Sequence, residues 1–194
     1  MKLKNDKRNI KILKREKVMK LSELEKLYGN RMEVSRKTKE GMIQTLGSGF
    51  YATVELDPFL ASLAVVAKYY PDVVISGKTA LHIYGLNQDY IQKIDVDIER
   101  EKSLRNKLLQ VHRVPKKRLI GMTQITYQNI KINIYDIERS LAEAYLLDQA
   151  GANFYKALKR YIKAGNLDID KIALYDKKLK TKVIAHLQQE LAND

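Results

Sequence analysis

Residues 21–54 read LSELEKLYGNRMEVSRKTKEGMIQTLGSGFYATV, and the order of signals in this stretch decides the fold of the N-terminal part. Leu21–Tyr28 carries Leu24, Leu27 and Tyr28 on one side of a helix, with Ser22 as its expected N-cap. Gly29-Asn30 makes a turn. A further helix over about Arg31–Glu40 follows, and Gly41 ends it. Met42–Leu46 and Phe50–Val54 then flank Gly47-Ser48-Gly49, a hairpin signal. Upstream, Ile10, Leu13 and Val18 place an apolar stripe on a strongly basic first helix. Helix, helix, turn, helix, hairpin is the order of a winged helix-turn-helix, whose third helix enters the major groove while its wing reaches a neighbouring backbone or groove. Residues 1–57 are therefore expected to form a DNA-binding domain. Arg31, Ser35, Arg36, Lys37 and Lys39 on the third helix, with Ser48 and Tyr51 on the wing, are the candidate contacts. The alternative is a small helical cap with a solvated basic face.

Composition agrees with a polyanionic partner. Among 194 residues, 36 Lys and Arg stand against 23 Asp and Glu, a net charge of +13, which points first to nucleic acid and second to an anionic membrane face. Residues 1–57 hold 14 basic and 8 acidic side chains, so this part alone carries +6. There is no cysteine. That excludes disulfides, thiolate metal sites and Cys nucleophiles, and it suits a reducing cytoplasm. No run of apolar residues is long enough to span a bilayer, and no secretory signal is expected at the start. His82, His112 and His186 lie far apart in sequence, so a His-based metal site is not expected.

Asp57-Pro58 reads as a boundary, with residues 58–194 as a second domain of mixed α/β character whose helices gather towards its end. Phe59–Tyr70 is an apolar-rich helix. Asp72–Gly77 reads as a buried strand ending in a turn, Lys78–Tyr84 as a short helix, and Lys93–Glu99 as a strand. Gln124–Tyr127 and Ile130–Tyr135 face each other across a Gln128-Asn129 turn. Helices are expected over Ile137–Gln149, with Asp136 as cap, then Phe154–Ala164, Ile169–Leu174 and Lys177–Leu191.

Two constellations in this domain bear on chemistry. Ser76-Gly77 followed by Asp95-Val96-Asp97 has the order used by nucleotidyltransferase-fold enzymes. There a Gly/Ser turn holds nucleotide phosphates, and two carboxylates on one strand face bind Mg²⁺. Asp136 would be the third carboxylate. The competing expectation sets Asp95 and Asp97 on a solvated strand face, with Ile94, Val96 and Ile98 packed inwards. Gly77-Lys78-Thr79 is not a phosphate-binding P-loop, because Asp72 stands where the first glycine of that loop belongs. The second constellation is basic. Lys102–Arg118 holds Lys102, Arg105, Lys107, Arg113, Lys116, Lys117 and Arg118 without an acidic residue. Lys156, Lys159, Arg160 and Lys163 open a second basic region that continues to Lys182. Either could extend a phosphate-binding surface or meet an acidic partner.

Glu40–Tyr51 resembles the wing of AbiEi-type antitoxins, the transcriptional-regulator half of the AbiE (type IV) toxin–antitoxin system. Val74–Leu86 is similar to the segment that opens that family's second domain. Ile134–Glu143 resembles its strand-to-helix element, with Ser140 in place of the usual Thr. Ala157–Tyr161 and the helices after it also fit, so the resemblance covers about residues 10–190 in order. It implies an α/β mixed, non-enzymatic protein without a cofactor, in a phage-defence setting. The winged helix would bind inverted repeats in its own promoter as double-stranded DNA and repress the operon. The second domain would counteract a nucleotidyltransferase toxin, and Arg105, Lys107, Arg113, Lys116, Lys117, Arg118, Lys156, Lys159, Arg160 and Lys163 are the candidate antitoxin surface. The alternative is a nucleotidyltransferase-fold enzyme with an N-terminal DNA-binding module.

Overall fold

In the computed structural model, which describes residues 2–148, 151–165 and 167–193, the first helix, α1 (Lys2–Glu16), is stopped by Lys17 at φ 62°. That left-handed residue turns Val18 out of the helix and into a strand, β1 (Val18–Lys20). The expectation that Val18 continues the helical stripe is thereby corrected: its side chain is buried from a strand.

Helix α2 (Leu21–Tyr28) begins two residues earlier than a Ser22 cap allows. Lys20 is its N-cap, and the Lys20 amide donates to Glu23 Oε2 at 2.6 Å. Gly29, at φ 97°, closes α2 by donating its N–H to the Glu25 carbonyl. Asn30 then caps α3 (Arg31–Lys39), its Oδ1 accepting from the Glu33 amide at 2.9 Å. Strands β2 (Ile43–Gly47) and β3 (Phe50–Thr53) form the hairpin, and the sheet runs β1-β3-β2, antiparallel throughout. Leu13, Met19, Leu24, Val34 and Ile43 pack together as the core between these helices and strands.

The compact first unit runs through α4 (Pro58–Tyr69) to Pro71, with the short pieces Gln92–Ile94 and Asn106–Leu109. Asp57-Pro58, expected as a boundary, starts a helix of this same unit: the Asp57 carboxylate accepts from the Phe59 and Leu60 amides, and Pro58 needs no partner in the first turn. α4 packs on β1 and β2.

The second unit holds, but for the first residues of β5 and β6, a five-stranded sheet in the order β6-β5-β4-β8-β7, from β4 (Val74–Ile75), β5 (Ile94–Glu99), β6 (Leu109–Val114), β7 (Met122–Tyr127) and β8 (Ile130–Tyr135). β4 pairs antiparallel with β5 and parallel with β8, and β7 with β8 antiparallel. Gln128 and Asn129, both at positive φ, make the tight turn between β7 and β8. Helix α5 (Gly77–Ile83) follows β4, and α6 (Ile137–Asp148), α7 (Ala152–Ala164), α8 (Ile169–Leu179) and α9 (Val183–Asn193) close the chain. The described residues are thus mixed α/β with two sheets. The expected ends Met1, Gln149 and Asp194 lie outside the described residues.

Leu141, Phe154, Leu158, Ile172, Leu179, Val183 and Leu187 form the core of the helical layer. The break expected between Leu174 and Lys177 lies instead after Leu179, so Lys177–Leu179 end α8 rather than open the last helix. Lys180 turns left-handed at φ 59°, and the Asp176 carboxylate caps the next helix by accepting from the Val183 and Ile184 amides. No helix among the described residues is long and apolar enough to cross a membrane.

Candidate functional site

Helix α3 presents two different faces, because its core contacts are fixed by Val34 and Lys37. Val34 is 1% exposed and packs in the core. Lys37 is equally buried, and its Nζ donates to Asp6 of α1 and to Glu40 Oε2 at 3.0 Å. Burial pulls the Lys37 ammonium down in pKa, but the two carboxylates outweigh it and hold it above its ordinary value. Lys37 was an expected DNA contact; the fold corrects this, since its charge is spent inside the unit. Arg36 lies between the two faces. Its guanidinium bridges Glu33 Oε2 and Glu40 Oε1, each at 2.6 Å.

Arg31, Ser35 and Lys39 recur every four residues on the open side of α3, and all three are exposed. They line, with Thr38, Thr45 and Tyr51, a groove of about 360 Å³ between α3 and the hairpin. Tyr51 is half-buried along this groove, whereas Ser48 sits at the hairpin tip with φ 51° and its hydroxyl accepts from the Lys107 amide at 3.1 Å. The fold therefore brings Arg31, Ser35, Lys39 and Tyr51 to one concavity and leaves Arg36, Lys37 and Ser48 engaged elsewhere.

The other basic residues are divided among several elements. Lys107 belongs to the first unit and Arg105 to the second, so the basic run Lys102–Arg118 is not one surface element. Arg113 is exposed on β6, and Lys116 and Lys117 are exposed on a 3₁₀ turn (Lys116–Arg118). The Arg118 carbonyl accepts from Arg139 Nη2 at 3.2 Å. On α7, Lys156, Lys159 and Lys163 share an exposed face, with Lys159 3.3 Å from Glu190. Arg160 turns back instead, donating to the Leu86 carbonyl and to Gln88 Oε1.

Asp95 and Asp97 do not stand on a solvated face. Ile94, Val96 and Ile98 are buried as alternation requires, yet Asp97 is itself only 1% exposed. Its carboxylate accepts from the Ser76 hydroxyl at 2.5 Å and the Tyr135 hydroxyl at 2.9 Å, tying β5 to the end of β4 and to β8. Both sheet faces are covered at this point, which is why the solvated expectation fails. Burial, and then the charge of Glu143, push the Asp97 carboxyl above the usual range, against the pull of those two hydroxyls. Asp95 meets His112 Nε2 at 3.1 Å, and the Thr79 hydroxyl both accepts from the Asp95 amide and faces its Oδ2. Gly77, at φ 52°, lies so close that a Cβ there would sit 3.2 Å from Asp95 Cβ. Asp136, the expected third carboxylate, is engaged by the helical layer: it caps α6 through the Arg139 amide and holds the Tyr175 hydroxyl and Lys171. Among the described residues no three His, Cys, Asp or Glu side chains converge as a metal site.

His112 escaped the sequence reading because β6 was hidden in the basic run; Leu109 and Val114 were its available signal. The hydrogen bond to Asp95, opposed by burial, raises the His112 pKa. A raised folded pKa means the contribution is fully present below the unfolded value, 6.5, and is lost as pH rises through the folded one. Thermal melts should therefore show stability falling as pH climbs above 6.5. His112→Gln should flatten that slope, and an unchanged slope in the variant would remove the Asp95–His112 pair as its source.

No family model matches the chain. No curated protein gives a significant sequence match either.

Proposed function

We propose that the first unit is a winged helix-turn-helix that holds duplex DNA, and that the chain is an AbiEi-type antitoxin repressing its own promoter. The order α1-β1-α2-α3-β2-β3, with β1 closing the sheet against β3, is the order of that module. The observation that carries the reading is the open face of α3: Arg31, Ser35 and Lys39 stand beside the hairpin groove, where phosphates and base edges would meet them. Antitoxin action against a nucleotidyltransferase toxin rests on the resemblance of the second-domain segments. A cytoplasmic setting follows from that role. The enzyme reading is disfavoured by Asp97, whose two oxygens are taken by Ser76 and Tyr135 and whose charge is opposed by burial.

Two measurements test this together. Where a nucleotidyltransferase gene adjoins this one, co-expression of the two should restore the growth that the neighbour alone inhibits, and a reporter driven by the upstream region should be repressed several-fold; absence of such a neighbour would shift weight to the enzyme. The purified chain should transfer no nucleotide from any NTP onto RNA or protein with Mg²⁺ or Mn²⁺. Transfer that vanishes in Asp95→Asn with Asp97→Asn would install the enzyme instead.

A further inference from the structure

Met32 is 81% exposed, although it is the second residue of a helix that buries Val34 and Lys37. With roughly 3.6 residues per turn, Met32 and Lys39 lie on one line of α3, opposite those two buried side chains. Arg31 and Ser35 lie beside that line on its groove side and are also exposed, with Glu33 and Arg36 on the other side. The first turn beneath Met32 is fixed twice: Asn30 caps the Glu33 amide, and the Glu33 carboxylate is bridged by Arg36. A long apolar side chain is thus held outward on a rigid turn, among neighbours that offer only hydrogen bonds and charge. Polar neighbours can serve phosphates or the polar edges of bases; a thioether cannot. In the major groove the apolar feature on a base edge is the thymine C5-methyl group. Methionine, flexible and polarisable, conforms readily to such a small apolar target. The N-terminal residues of a groove-entering helix are the ones that reach base edges.

We propose that Met32 reads sequence by packing on a thymine methyl group, with Arg31 and Ser35 supplying the adjacent polar contacts. The proposal rests on the DNA-binding reading above. It is tested with a duplex recovered from a random-sequence pool by its binding to the full chain, prepared once with thymine and once with deoxyuridine throughout. Uracil keeps every hydrogen-bonding group and lacks only the methyl. The wild-type chain should bind the uracil duplex roughly fivefold more weakly. Met32→Gln, which keeps length and helix preference, should bind both duplexes alike, at about the wild-type level on uracil, with an unchanged melting temperature. Equal wild-type affinity for the two duplexes would overturn the assignment while leaving DNA binding intact. So would a methyl dependence that persists in Met32→Gln, since the reader would then lie elsewhere. A wild-type chain that enriches no duplex from the pool would instead sink the DNA-binding reading itself, and this proposal with it.

Discussion

Replacing Arg31 and Lys39 together by alanine should weaken duplex binding more than tenfold at moderate salt and leave the melting temperature where it was. Both side chains are exposed and border the groove between α3 and the hairpin. Each phosphate they neutralise releases counterions, so removing two should lower the salt slope of binding by about two. Arg36→Ala should cost far less, because its guanidinium is already held by Glu33 and Glu40. Lys37→Ala is a different experiment. It leaves the largely buried Asp6 carboxylate without its cation, while Glu40 keeps Arg36, and should destabilise the first unit by about 2 kcal/mol. Gel-shift titrations at several salt concentrations, beside thermal melts, separate these effects. An Arg31/Lys39 variant that loses no more affinity than Arg36→Ala would place the DNA on another face.

The largest effect expected in the second unit comes from a single methyl group at Gly121. This residue has φ 74°, a conformation that L side chains rarely adopt. A Cβ there would fall on the Tyr175 hydroxyl, 2.8 Å from Tyr175 Cζ and 2.9 Å from Arg139 Cβ. Tyr175 cannot retreat without giving up its 2.5 Å hydrogen bond to Asp136, and Asp136 caps the helix that carries Arg139. Gly121→Ala should therefore lower the unfolding free energy by about 3 kcal/mol or more, combining backbone strain with overpacking. Tyr175→Phe, which removes the hydroxyl alone, should cost about 1 kcal/mol. Denaturant midpoints would decide: equal midpoints for Gly121→Ala and wild type would mean that Tyr175 does not pack where it is placed.

Much of the architecture was legible from the chain because its punctuation is local. Gly29-Asn30, Gly47-Ser48-Gly49 and Gln128-Asn129 mark turns by their own backbone preferences, and the elements between them fall within a residue or two of expectation. What was missed depends on contacts between distant residues. Lys17 and Lys180 turn left-handed without being glycine or asparagine, so nothing local announced the strand after one or placed the helix break at the other. Lys37 reads as a surface cation until Asp6, 31 residues away, is seen to claim it. Asp97 reads as half of an exposed pair until the Ser76 hydroxyl, at the cap of α5, and the Tyr135 hydroxyl of β8 are seen to hold it. Alternation assigns a face to a residue, but it does not say whether that face meets water.

The Lys37 ammonium has a further consequence for how the first unit opens. Terminal helices ordinarily fray from the end inwards, at little cost. Here Asp6 stands in the second turn of α1, and Asn9 one turn later donates to the Leu27 carbonyl of α2. Unwinding α1 past Asp6 would leave the buried Lys37 ammonium with Glu40 as its one remaining carboxylate partner, so peeling the early turns should cost more than ordinary fraying. Amide hydrogens around Asp6 and Asn9 should therefore exchange more slowly than those of a helix whose first turns fray freely.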